Sequence, residues 1–85
     1  MQQGGSLTNP DPVPEVDARG LLCPLPVLRA RKVLQGMGPA SVLRVLADDP
    51  MAVIDMPHFC AEAGHVFLGV TEAPGWQVYL IQRGA

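Results

Sequence analysis

Aromatic residues are scarce in this sequence: two Phe, one Tyr and one Trp make up 5% of its 85 positions. A core must therefore rest on Leu, Val, Ile, Ala and Met, and a nucleic-acid surface built on stacked rings is not expected. Positive charge is also short, with six Lys and Arg against eight Asp and Glu, a formal net charge of −2. Phosphate-backbone binding needs a basic surface, so no direct nucleic-acid partner is expected. No stretch approaches the roughly 18 consecutive apolar residues of a membrane span, so no membrane role is expected. Met1 to Pro14 shows neither an apolar run nor a cationic start and does not read as a secretory signal, which points to the cytoplasm. Cysteine is limited to Cys23 and Cys60. In a cytoplasmic chain these are expected as free thiols rather than as a structural disulfide.

Apolar residues make up 48% of the chain. That is enough for a core, and the length allows one small domain with little room for an enclosed cofactor cavity. Residues 1–14 hold three Gly or Ser and three Pro. They cannot bury enough apolar surface to offset their ordering entropy, so they read as a flexible tail ahead of a domain over 15–85.

Within the domain the pattern predicts strand, helix, strand, helix, strand, strand. Val13 to Asp17 reads as a short first strand, with Ala18-Arg19-Gly20 as its exit turn. A helix is expected from Cys23-Pro24, because Pro suits the first turn, where its missing N–H breaks no bond. Val27, Ala30, Val33, Leu34 and Met37 recur at helical spacing, and Gly36, Gly38 and Pro39 stop the helix. Ser41 to Ala47 reads as a strand, and Asp48-Asp49-Pro50 supplies a capping carboxylate and a first-turn Pro for a second helix over Met51 to Ala63. In that helix Ala52, Met56, Phe59 and Ala63 share one face and Asp55, His58 and Glu62 the other. Pro57 predicts a kink or restart. His65 to Glu72 and Trp76 to Arg83 read as a hairpin turned at Pro74-Gly75, with Val66, Leu68 and Val70 on one face and Trp76, Val78 and Leu80 on one face. The expected fold is α+β: a two-layer sandwich with both helices on one face of a four-stranded mixed sheet.

The segment that carries chemistry is Gly20-Leu21-Leu22-Cys23-Pro24-Leu25-Pro26. Cys23 is expected at the N-cap or first residue of an amphipathic helix. There, free amides and the positive end of the dipole would favour the thiolate, the nucleophilic form. Arg19 and Gly20 upstream and Pro24 and Pro26 downstream form the thiol's expected environment, the two prolines stiffening the junction. The opposite reading is that Cys23 is a small apolar filler, as free Cys often is. The residues alone leave both open and yield a reactive-thiol candidate without a reaction. Cys60 reads as a buried structural Cys, or else as a resolving thiol paired with Cys23. His58, Cys60, His65 and Cys23 lack the close paired ligands of a structural zinc site, so no metal and no cofactor are expected.

Asp17-Ala18-Arg19-Gly20-Leu21-Leu22-Cys23-Pro24-Leu25-Pro26 resembles the signature of the TusA-like (SirA-like) sulfur-carrier family. Ala47-Asp48-Asp49-Pro50, then Asp55-Met56-Pro57-His58-Phe59-Cys60, and the terminal Tyr79-Leu80-Ile81-Gln82-Arg83 extend the likeness from about Val16 to Arg83. The resemblance implies a sulfurtransferase that takes sulfane sulfur as a persulfide on Cys23 and relays it to another protein. Its implied donor is a cysteine desulfurase or a rhodanese, and its implied acceptor a sulfur-relay protein. The family's uses include tRNA thiolation, molybdenum cofactor assembly and sulfur oxidation. Arg31, Lys32 and Asp49 match family positions tied to partner docking. Leu25 departs from the tRNA-thiolation members, which carry an acidic residue there. A monomer is expected, since the thiol must be reachable. The alternatives are a non-catalytic interaction module, in which Cys23 is incidental, and a redox switch using Cys23 and Cys60.

Overall fold

The computed structural model describes residues 13–84. The tail expected over 1–14 lies outside the described residues apart from Val13 and Pro14. The elements are β1 (Glu15–Asp17), α1 (Leu25–Gln35), β2 (Val42–Ala47), α2 (Ala52–Ala63), β3 (Val66–Ala73) and β4 (Trp76–Gln82). The sheet order is β1-β2-β4-β3. β1 runs parallel to β2, with Val16 opposite Val45, and the other pairs are antiparallel. The helices touch each other, α1 also meeting β1 and β2 and α2 meeting β3. This is the expected α+β sandwich on a mixed sheet.

The core lies between the layers. Leu43, Val45 and Ala47 of β2 alternate inward, and Ile81 and Tyr79 of β4 stand opposite Leu43 and Val45; all five are fully buried. Ala30 and Leu34 of α1 and Met56 and Cys60 of α2 close over them. Each large aliphatic side chain buried in this way contributes roughly 1.5–3 kcal/mol. Val27, Val33 and Met37 pack at the margin of this core. Arg83 ties α1 to the chain end, its Nε donating to the Leu34 carbonyl at 2.7 Å.

Three expectations are corrected. Val66, Leu68 and Val70 do not face the core: each is 42–48% exposed, and Phe67 packs inward instead. The reason is twofold. β3 is an edge strand, and a bulge between Phe67 and Gly69 shifts the register so that the period-2 pattern no longer tracks one face. In β4 the buried set is Tyr79 and Ile81 rather than Trp76, Val78 and Leu80. The third concerns Pro57: of the expected kink or restart, the restart does not occur, and the helix runs continuously over 12 residues. Pro57 lies beyond the first turn, so its missing N–H forgoes one helical bond, that to the Val53 carbonyl. Gly64 ends α2 at φ 80°, a left-handed conformation that glycine adopts without strain.

Candidate functional site

The loop from Ala18 to Pro24 is held by carboxylates at both of its turns. Asp17 accepts from the Arg19 N–H at 3.1 Å and from its guanidinium at 2.9 Å through each carboxylate oxygen. The same guanidinium lies 4.9 Å from the Trp76 ring centroid. Asp48 accepts from the Gly20 N–H at 3.0 Å. Asp49 then carries the arrangement. Its Oδ2 accepts from the Cys23 N–H at 2.5 Å and its Oδ1 from the Met51 N–H at 3.1 Å. Asp49 is the one buried charged residue among the described residues, at 6% exposure. A carboxylate with both oxygens on backbone N–H groups is compensated for its burial. One side chain thus joins the approach to α1 with the approach to α2.

Cys23 itself is exposed. Its expected electrostatics are overturned. The thiol is pushed above its ordinary value, first by hydrogen bonding to the Asp55 carboxylate, then by partial desolvation and by the negative charges of Asp55 and Asp49. The helix starts later than its prolines suggest: Pro24 occupies the N-cap, so Cys23 stands outside α1. The dipole argument also loses most of its donors. Pro24 and Pro26 carry no N–H, the Leu25 N–H is taken by the Leu22 carbonyl at 2.8 Å, and the Cys23 N–H is taken by Asp49. An amide already bonded to a carboxylate or a carbonyl has less to offer a thiolate.

The thiol opens onto a groove of about 300 Å³ between the helices. Cys23, Pro24, Val27, Leu28 and Arg31 line one side, and Asp55, His58, Phe59 and Glu62 the other. His58 and Glu62 form an exposed pair at 3.5 Å. Leu28 of this lining is 48% exposed, and Leu22 and Leu25 near the start of α1 and Met51 and Ile54 near the start of α2 are exposed as well.

The structure therefore gathers some predicted residues and separates others. Cys23, Pro24 and Arg31 share the groove, while Lys32 is exposed in the last turn of α1. Pro26 is buried within α1. Gly20 is tied to Asp48. Arg19 faces Asp17 and Trp76, and the charges acting on Cys23 are those of Asp55 and Asp49. Asp49 is buried beneath the loop that it holds. Cys60 is 1% exposed, and burial pushes its thiol up to about 11. Trp76 is only partly buried, beneath Arg19. Sequence reasoning placed Asp55 on a polar helix face and missed that it shares a groove with Cys23. The polar spacing of Asp55, His58 and Glu62 around Phe59 was the available signal.

Residues 14–83 match the family model described as Sulfurtransferase TusA. The chain belongs to the TusA sulfurtransferase family. It is 42% identical over 69 residues to the sulfur carrier protein TusA of Allochromatium vinosum, covering 81% of this chain and 91% of that one. It is 40% identical over 70 residues to the sulfur carrier protein TusA of Pseudomonas entomophila, with coverages of 82% and 88%. The crystal structure of a SirA-like protein from Desulfitobacterium hafniense superposes with a TM-score of 0.72. Its identity is 29%, and the match covers 84% of this chain and 97% of that chain. The family resemblance noted in the sequence thus holds across the whole folded domain, and the strand and helix order agrees with it.

Proposed function

We propose that this protein is a sulfur carrier that holds sulfane sulfur as a persulfide on Cys23 and relays it between two partner proteins. One observation carries the reading: Cys23 is exposed at the mouth of a groove, on a loop whose backbone a buried carboxylate fixes. An in-line exchange of sulfur between two proteins needs a thiol that is both reachable and held in place. The names of the family relatives support the same chemistry.

In the loading step Cys23 Sγ bonds to the terminal sulfur of a donor persulfide. The donor's S–S bond breaks, its electron pair leaves on the donor thiolate, and the Cys23 proton ends on that thiolate. No net oxidation occurs. Delivery is the same exchange, with an acceptor thiolate attacking the outer sulfur on Cys23. The donor class is a cysteine desulfurase or a rhodanese, and the acceptor a sulfur-relay protein. Arg31 and Lys32 on α1 serve docking, while Asp49 acts by positioning the loop. The folded domain over 15–85 works in the cytoplasm as a monomer. Among the described residues, no helix is long and apolar enough to cross a membrane.

Intact-mass analysis after incubation with a cysteine desulfurase and cysteine tests the reading. A reductant-reversible gain of one sulfur atom is expected in wild type and Cys60→Ser and not in Cys23→Ser. No gain from the desulfurase, or from a rhodanese with thiosulfate, overturns it.

A further inference from the structure

We propose that Asp48 is a positioning residue for this exchange: by holding the Gly20 N–H it fixes the turn from which the Cys23 sulfur is presented. This role rests on the reading of Cys23 as the sulfur-bearing thiol. The Asp48 carboxylate accepts from the Gly20 N–H through both oxygens, at 3.0 and 3.1 Å, across 28 positions of sequence. The usual uses of an Asp at this place do not account for it. α2 has Met51 at its N-cap and takes no side-chain cap there. Among the described residues Asp48 forms no ion pair. It is exposed, so it fills no core position.

The N–H groups of the loop show what this bond does. The Ala18 N–H donates to the Leu46 carbonyl at 2.8 Å, which carries the β1–β2 pairing one step past β1. The Leu21 N–H donates to the Ala18 carbonyl at 3.3 Å, and Asp49 takes the Cys23 N–H. Between these points the chain turns at Gly20, with φ 85°. A glycine has many conformations open to it, so a bond on its N–H selects one. Asp48 is itself well placed to do so, because it follows Ala47, the last residue of β2. Leu21 packs at the margin of the core, but Leu22 and Cys23 are exposed. Bonds rather than packing therefore set the last step to the sulfur. Adjacent carboxylates at the end of one strand hold two points of the loop, Gly20 and Cys23. With the Asp49 bond alone the segment between them can pivot; with both it cannot. Sulfur exchange is an in-line displacement. Sγ attacks the donor's outer sulfur opposite the S–S bond that breaks, the electron pair leaves on the donor thiolate, and the Cys23 proton goes to that thiolate. A misplacement of about 1 Å in such an attack costs up to roughly 100-fold in rate.

The test is single-turnover sulfur transfer from a persulfidated cysteine desulfurase, followed by quenched intact mass over a range of donor concentrations, in wild type, Asp48→Ala and Asp48→Asn. In Asp48→Ala the saturated rate is expected to fall about tenfold, with the half-saturating donor concentration unchanged. Asp48→Asn keeps an acceptor oxygen for the Gly20 N–H and is expected to recover most of the rate. Alkylation of Cys23 by iodoacetamide is not expected to fall in either variant, because a small reagent reaches an exposed sulfur from any side. A wild-type saturated rate in folded Asp48→Ala overturns the proposal. So does a raised half-saturating concentration at an unchanged saturated rate, which would make Asp48 a direct partner contact. An Asp48→Asn as slow as Asp48→Ala also overturns it, since charge and not the bond would then matter. Should Asp48→Ala not fold, amide hydrogen exchange in wild type decides: a Gly20 N–H exchanging as fast as in a free peptide overturns it. A wild type that takes up no sulfur sinks the carrier reading and this role with it. A wild type that loads beside an equally fast Asp48→Ala sinks this role alone.

Discussion

Cys23 and Cys60 both belong to the helical layer, yet one is exposed on a loop and the other is 1% exposed on the inward face of α2. Both thiols are pushed above their ordinary value, for different reasons. For Cys60 the cause is burial alone, as apolar neighbours disfavour an ion. For Cys23 the first cause is hydrogen bonding to a carboxylate. A buried thiol protonated by desolvation is inert. An accessible one protonated by a hydrogen bond can be released when its partner group moves or is neutralised. The contrast separates a structural sulfur from one poised for exchange, although raised pKa values alone would have grouped them together.

The sharpest way to break the comparison is to damage the core and leave the loop intact. Met56 is fully buried beside Cys60. Met56→Ala is expected to cost roughly 2–5 kcal/mol through lost burial and the cavity left behind. Urea unfolding measures that loss, and the alkylation rate of Cys23 in the folded variant should stay at the wild-type value. The converse variant, Asp49→Asn, replaces two acceptors by one acceptor and an amide group that must face an N–H. Leaving a buried donor unpaired costs about 2 kcal/mol. Here the urea midpoint should fall and Cys23 alkylation should rise together, because the loop loosens and a negative charge is lost. A variant that loses stability with no change at Cys23 would show that Asp49 supports the core and not the site.

The third effect concerns pH and is absent near neutrality. The Cys60 thiol titrates near 9.0 in the unfolded chain and at about 11 in the folded one. Between those values the unfolded state binds fewer protons than the native state, so stability falls as pH rises, by about 1.4 kcal/mol per pH unit for this group. Below about pH 9 the contribution is fully present. Urea midpoints measured from pH 8 to 11 should decline less steeply in Cys60→Ala than in wild type. Tyr79, raised by burial to about 12, keeps a residual slope in both.

Much of the fold was legible because its signals are local. The helical recurrence of Ala30 and Leu34, the Val and Leu run of β2 and the Pro74-Gly75 turn each act within one element. β3 misled because a bulge changes which face a residue takes, and because an edge strand leaves apolar side chains uncovered. The period of a sequence records neither. Pro24 marked a helix start in the sequence. The structure shows that its missing N–H, with that of Pro26, also removes donors that a thiolate would need.

By itself the sequence determined the order of the elements, the thiol that carries the motif and the family. These depend on residue type and spacing along the chain, which a linear text records in full. Only the tertiary structure decided what surrounds that thiol. Asp49 lies 26 positions from Cys23 and Asp55 lies 32, and no local pattern links them. They meet because β2 pairs beside β1, which brings the start of α2 against the start of α1. The protonation of a sulfur depends on charges a few ångströms away in space, so it is fixed by packing and not by neighbours in the chain.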